Sequence, residues 1–222
     1  MVKRNVVRLL LVGVVAFALT TPVSAANNST LNQTINAGTL TTDIKDTSQV
    51  TVGSPSATMS PTTFSFSCLS GGSAATGTLG TAAQRIYVTN PDGADNGWSL
   101  TMAATGGATS SWSTSYDFND PAGSGCTDGA DADTLKGQLT VNPAAGALTT
   151  DCTSCTSTGI TLGSSAAFSQ GTIDSVTLIN AGAASNDIGQ WYLTGVGLSQ
   201  TIPAETPAGS YSINMTLTAT AI

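Results

Sequence analysis

Histidine is missing from all 222 residues. That removes the usual general base of a serine triad and the commonest zinc ligand together. Cations are nearly as scarce, with six Lys and Arg against 13 acids. Lys3, Arg4 and Arg8 lie at the extreme N-terminus; beyond it Lys45, Arg85 and Lys136 face all 13 acids, a net charge of −10. A chain without a basic cluster cannot neutralise phosphates, so neither nucleic acid nor an anionic membrane is expected as a partner. Aromatic residues make up 5% of the chain, too few for the sugar platforms that flank a glycosidase carboxylate pair. No glycine-rich loop leads from a strand into a helix, so nucleotide binding has no support. No window beyond residue 25 keeps a helical apolar period through three turns. The composition therefore argues against an enzyme and against a cofactor, a structural calcium ion aside.

What is present begins with residues 1–25. "MVKRNVVR" is basic, "LLLVGVVAFALT" is apolar, and "PVSA" places small residues before Ala26. This is the layout of a secretory signal peptide, cleaved after Ala25, whose apolar run is too short to span a bilayer. A secreted or cell-surface protein with no membrane span after cleavage is the expectation. Residues 26–37, "ANNSTLNQTINA", form a polar segment, loose or an edge strand. No proline-rich linker or charge run divides residues 38–222, which are expected to form a single domain. Neither an LPxTG sequence nor a late apolar run follows, so attachment to a surface is expected to be noncovalent.

Four cysteines, Cys68, Cys126, Cys152 and Cys155, lie beyond the leader. An even number behind an export signal implies disulfides, with three pairings open. "DCTSC" has the spacing of a redox motif, but loop- or strand-like flanks replace the helix start that would acidify a thiol. The structural reading is preferred. A bridge from Cys126 to Cys152 or Cys155 would close a loop worth on the order of 3 kcal/mol.

Alternation with a period of two recurs along the chain, broken by Gly, Asn, Asp and Pro. It places Leu40, Thr42 and Ile44 together, then Phe64, Phe66 and Cys68, Ile86 and Val88, Leu139 and Val141, and Val176 and Leu178. The longest example runs Tyr211, Ile213, Met215, Leu217, Ala219. About ten such strands predict an all-β, antiparallel, Greek-key-like β-sandwich. Trp191 and Leu193 share a face, whereas Val196 and Leu198 follow Gly195 in the other phase, which predicts a β-bulge at the glycine.

In "NPDGADNGWSLTM" a turn-rich loop leads into Trp98, Leu100 and Met102 on one face, with Ser99, Thr101 and Ala103 on the other. Indole in the company of Leu and Met belongs to the core rather than to a binding platform. Burying it contributes roughly 3 kcal/mol, provided its N–H finds an acceptor.

The acidic stretch "YDFNDPAGSGCTDGADADT" concentrates Asp117, Asn119, Asp120, Asp128, Asp131 and Asp133. Hard oxygen ligands suit Ca²⁺, although the spacing departs from the Asp-x-Asx-x-Asx-Gly loop. A solvated acidic loop is the plainer reading, and calcium the alternative.

These segments together resemble the WxL domain of bacterial cell-surface proteins. The likeness rests on "IYVTNPDGADNGWSLTMAAT", "TLKGQLTVNP" and "IPAETPAGSYSINMTLTA" and covers residues from about 38 onward. The second Trp-x-Leu of that family belongs on the final strand after a tyrosine. Here Tyr211 leads to Leu217-Thr218-Ala219, and Trp191-Tyr192-Leu193 lies one strand earlier. The resemblance implies noncovalent attachment to cell-wall peptidoglycan or polysaccharide, with Trp98, Leu100, Trp191, Leu193 and Tyr211 as the motif residues. A noncatalytic cell-envelope protein bound to the wall or to other surface proteins is the leading expectation. A self-assembling subunit of a fibre or surface layer is the alternative, with residues 26–37 completing a neighbour's sheet by strand addition.

Overall fold

The computed structural model describes residues 32–93, 96–131 and 133–222. The leader and residues 26–31 of the polar segment lie outside them. The chain divides into compact units Met1–Ile35 and Asn36–Ile222, and the architecture below is that of the second.

Twelve strands are present among the described residues: β1 Thr41–Lys45, β2 Ala75–Leu79, β3 Arg85–Asn90, β4 Trp98–Ala104, β5 Gln138–Asn142, β6 Ala147–Thr150, β7 Ile160–Leu162, β8 Ala166–Ala167, β9 Ser175–Ala181, β10 Gly189–Thr194, β11 Val196–Thr201 and β12 Met215–Ala221. They form three four-stranded sheets ordered β1-β3-β10-β6, β2-β11-β5-β8 and β12-β4-β9-β7. Every pairing is antiparallel. The architecture is an all-β sandwich. No helix of the described residues is long and apolar enough to cross a membrane.

The first two sheets are bent continuations of each other. β3, β10 and β6 stand side by side in one, and their chain neighbours β2, β11 and β5 stand in the same order in the other. Gly195 marks this corner. The expected bulge within one strand is corrected here, because β10 ends at Thr194 in one sheet and β11 begins at Val196 in the next. Gly195 has φ +80° and donates its N–H to Gly80 O at 2.7 Å. The phase change seen in the sequence is therefore a change of sheet, the kind of corner at which a bent strand leaves one layer for another. A bulge does occur elsewhere, between β4 and β9, where the register slips at Leu100/Thr101. It lets both Leu178 and Ile179 be buried.

One expected strand is absent. Phe64, Phe66 and Cys68 alternate in sequence, yet no strand forms there, and Phe64 and Phe66 are 49% and 80% exposed. Among the described residues the stretch meets residues 202–205 only through a bridge at Leu69 and Ile202 and the bond from Glu205 N to Ser65 O, too few to make a ladder. Its two rings instead meet each other edge-on, centroids 5.1 Å apart. β2, β6, β7 and β8 were not legible from alternation, because "ATGTL", "ALTT", "ITL" and "AA" carry too few apolar residues to show a period.

The core joins all three sheets. β4 buries Trp98, Leu100, Met102 and Ala104 and leaves the residues between them half-buried. Across the interior, Trp98 meets Trp191 of β10 with ring centroids 5.5 Å apart. Phe118 and Phe168 pack edge-on at 5.1 Å nearby in the same cluster.

Candidate functional site

The motif residues are placed by parity, and parity hides them. Trp98, Leu100, Trp191 and Leu193 are each 0% exposed. Each indole has its acceptor: Trp98 Nε1 donates to Asp187 O and Trp191 Nε1 to Thr156 O, both at 2.9 Å. Asp187 O also accepts Asn90 Nδ2 at 2.8 Å, and its carboxylate accepts the N–H of Gly97 at 2.6 Å. Gly97 has φ +86°, and a Cβ there would meet Ala181 O at 2.5 Å, so only glycine turns the loop tightly enough to deliver Trp98 inward. As surfaces for a wall ligand these four residues are excluded; they build the core. Tyr211 alone among the motif residues is half-buried.

The cysteines form two disulfides, Cys68–Cys126 and Cys152–Cys155. The bridge from Cys126 to Cys152 or Cys155 does not occur. "DCTSC" closes on itself as a tight turn over Trp191: Gln190 N donates to Cys155 Sγ at 3.2 Å, and Thr156 supplies the indole's acceptor. Cys68–Cys126 ties the segment before β2 to the acidic loop. Two disulfides fit an oxidising compartment.

Tyr211 lines a groove of about 830 Å³ whose walls mix apolar side chains with Ser and Thr hydroxyls. One wall is the irregular segment 55–65, held beside β2 by Ser60 N donating to Thr76 O at 2.6 Å. The other is the extended run from Ser210 into β12, and the floor includes Leu69, Met102, Trp112 and Leu198. Among the described residues β12 is an edge strand, paired with β4 on one side only. In the run that leads into β12 and along its first residues, Tyr211, Ile213, Met215, Leu217 and Ala219 are half-buried, and the residues between them are exposed. Tyr116 anchors this wall, stacked on Trp112 at 5.7 Å and edge-on to Tyr211 at 5.1 Å. Burial, and then the neighbouring Tyr211, push the Tyr116 phenol up to about 12. Apolar side chains and uncharged hydroxyls line the groove, with no Asp, Glu, Lys or Arg among its lining residues.

Beneath the groove lies a polar node that sequence reasoning missed. Gln200, 1% exposed, accepts Trp112 Nε1 at 2.9 Å and donates to Asp117 O at 3.0 Å and Thr201 O at 2.8 Å. Its only sequence signal is a polar residue at an inward position of β11, which a period-two count treats as an exception.

The acidic loop divides into two roles. Asp120 is buried, and its two carboxylate oxygens accept Ala122 N and Gly129 N, each at 3.0 Å. It shapes the loop, and burial raises its pKa against the effect of those two bonds. Asn119 is buried and donates from Nδ2 to Ala108 O at 2.9 Å. Asp128 is exposed and joins no cluster among the described residues. Asp117, Asp131 and Asp133 do come together, each with a carboxylate oxygen within 4.8 Å of the others. Burial, reinforced by Asp133 and Asp131, pushes the Asp117 carboxyl up to about 6 even though Phe118 N donates to it at 2.6 Å.

Comparison of the chain with family models, curated proteins and solved structures finds no match.

Proposed function

We propose that the protein is a secreted, noncatalytic structural component of the cell envelope that assembles with further copies of itself, an extended segment of one copy lying along β12 of the next. The observation that supports this is the half-buried apolar row that starts at Tyr211 and Ile213 and runs into the edge strand β12 at Met215 and Leu217, beside an open groove. An edge strand presents unpaired backbone donors and acceptors, and a peptide that adds to it gains a hydrogen-bond ladder while alternate side chains fill the groove. Residues 26–37 suit that role, since Leu31, Gln33, Ile35 and Ala37 fall on one face of an extended strand. Electron microscopy and light scattering of the concentrated protein should show ordered oligomers, and deletion of residues 26–37 should abolish them without changing circular dichroism. Monomers alone at every concentration would sink the proposal.

A second reading keeps the wall as partner. It draws on the resemblance to WxL domains and on the exposed Phe64–Phe66 pair, of which Phe64 lines the groove among Ser and Thr hydroxyls suited to a neutral sugar. Co-sedimentation with purified sacculi tests it. Retention lost on Phe64→Ala with Phe66→Ala supports it, and a protein that stays in the supernatant at physiological salt refutes it.

A further inference from the structure

The Asp117–Asp131–Asp133 cluster has no part in either reading, and its geometry is specific. Asp117 is 1% exposed, and among the described residues its Oδ2 has no hydrogen-bond partner. A buried carboxylate oxygen left unsatisfied is costly unless something binds it. The neighbouring charges acting on it are the carboxylates of Asp133 and Asp131, with no lysine or arginine among them. The backbone holds Asp117 firmly: its N–H donates to Lys136 O at 2.8 Å, and its carbonyl accepts Gln200 Nε2 at 3.0 Å. Asp131 is half-buried and Asp133 exposed, so the pocket opens to solvent on their side.

We infer that Asp117, Asp131 and Asp133 bind a calcium ion, which pins the acidic loop onto the core. Oxygens bound to one Ca²⁺ at about 2.4 Å lie at most about 4.8 Å apart, and the three carboxylate oxygens lie within 4.8 Å of one another. Three negative charges this close repel one another until a hard cation supplies the opposing charge. Three carboxylates leave part of a six- to eight-oxygen shell for water, which the open side admits. Asp120 takes no part, because its oxygens already hold Ala122 N and Gly129 N.

Isothermal titration of the EDTA-treated protein with CaCl₂, and thermal melts with and without it, test the inference. A Kd of about 0.1–1 mM is expected, as for extracellular calcium modules, with a Tm rise of about 2–4 °C at several times that concentration. MgCl₂ should give a much smaller shift, because Mg²⁺ gives up its water reluctantly. D131N with D133N, both at the open side, should fold normally and lose the calcium shift. D117N should lose it as well, and if that variant fails to fold the double variant still decides. No heat and no shift up to about 10 mM CaCl₂, an undiminished shift in D131N/D133N, or an equal response to Mg²⁺ would each overturn the assignment.

Discussion

At the scale of single residues, burial decides which side chains can act. Trp98 lies in the core with its N–H satisfied, so Trp98→Ala removes both packing and a hydrogen bond and leaves Asp187 O with one donor fewer. A loss of about 3–5 kcal/mol in urea unfolding is expected. Trp98→Phe should cost distinctly less, because most of the ring volume stays. Fluorescence of the native protein should show a blue-shifted indole that acrylamide quenches poorly.

Asp117 gives a pH dependence with a definite sign. Its folded carboxyl is raised to about 6 by burial, whereas in the unfolded chain it titrates near the ordinary value of about 3.9. The folded state therefore holds the extra proton between about pH 4 and about pH 6. Stability in calcium-free buffer should fall as pH rises through that window, by on the order of 3 kcal/mol from this group. Denaturant melts across the window should show the slope, and Asp117→Asn, which carries no charge to bury, should flatten it. A stability that rises steadily with pH there, and does so equally in the variant, contradicts the assignment.

At the scale of elements, β12 and the two glycine turns carry the consequences. Met215 and Leu217 of β12 line the groove, and a charge placed there should disturb docking more than folding. Leu217→Lys is expected to cost roughly 1–2 kcal/mol in stability, less than a fully buried position would, while shifting the protein from oligomer to monomer in light scattering. Loss of the fold itself would instead place Leu217 in the core proper.

The glycines differ in kind. A Cβ on Gly97 would press into backbone at 2.5 Å, whereas one on Gly195 finds nothing nearer than 3.5 Å. Both have positive φ. Gly195→Ala should therefore cost only the left-handed penalty of about 1–2 kcal/mol, and Gly97→Ala clearly more, since the loop must move and take Trp98 with it. Comparing the two unfolding midpoints checks the order.

At the scale of the whole molecule, the disulfides secure what the sheets leave loose. Cys68 and Cys126 are 58 residues apart, and their bridge is worth about 4 kcal/mol in the chain-entropy model. Cys152 and Cys155 are 3 apart, worth about 2 kcal/mol on the same account. Cys68→Ser with Cys126→Ser should lower Tm more than Cys152→Ser with Cys155→Ser. Only the first pair tethers the acidic loop, so only its loss should also weaken calcium binding.

Alternation along the chain by itself determined much of this architecture: an all-β fold, Trp98 and Leu100 turned inward, and β3, β4, β5, β9 and β12 each in the right register of faces. It could do so because side chains in a strand alternate whatever the strand pairs with. It failed at Phe64 and Phe66, where alternation with too few bonds to a neighbouring segment makes no strand, and at Gly195, where a shift of phase meant a new sheet instead of a bulge. Cysteine pairing, the gathering of Asp131 and Asp133 onto Asp117 while Asp128 stays outside, and the open side of β12 were decided only by tertiary structure. Each is a contact between segments distant in sequence or around a loop. Local residue patterns carry no distance between such segments; the packing of the three sheets sets it.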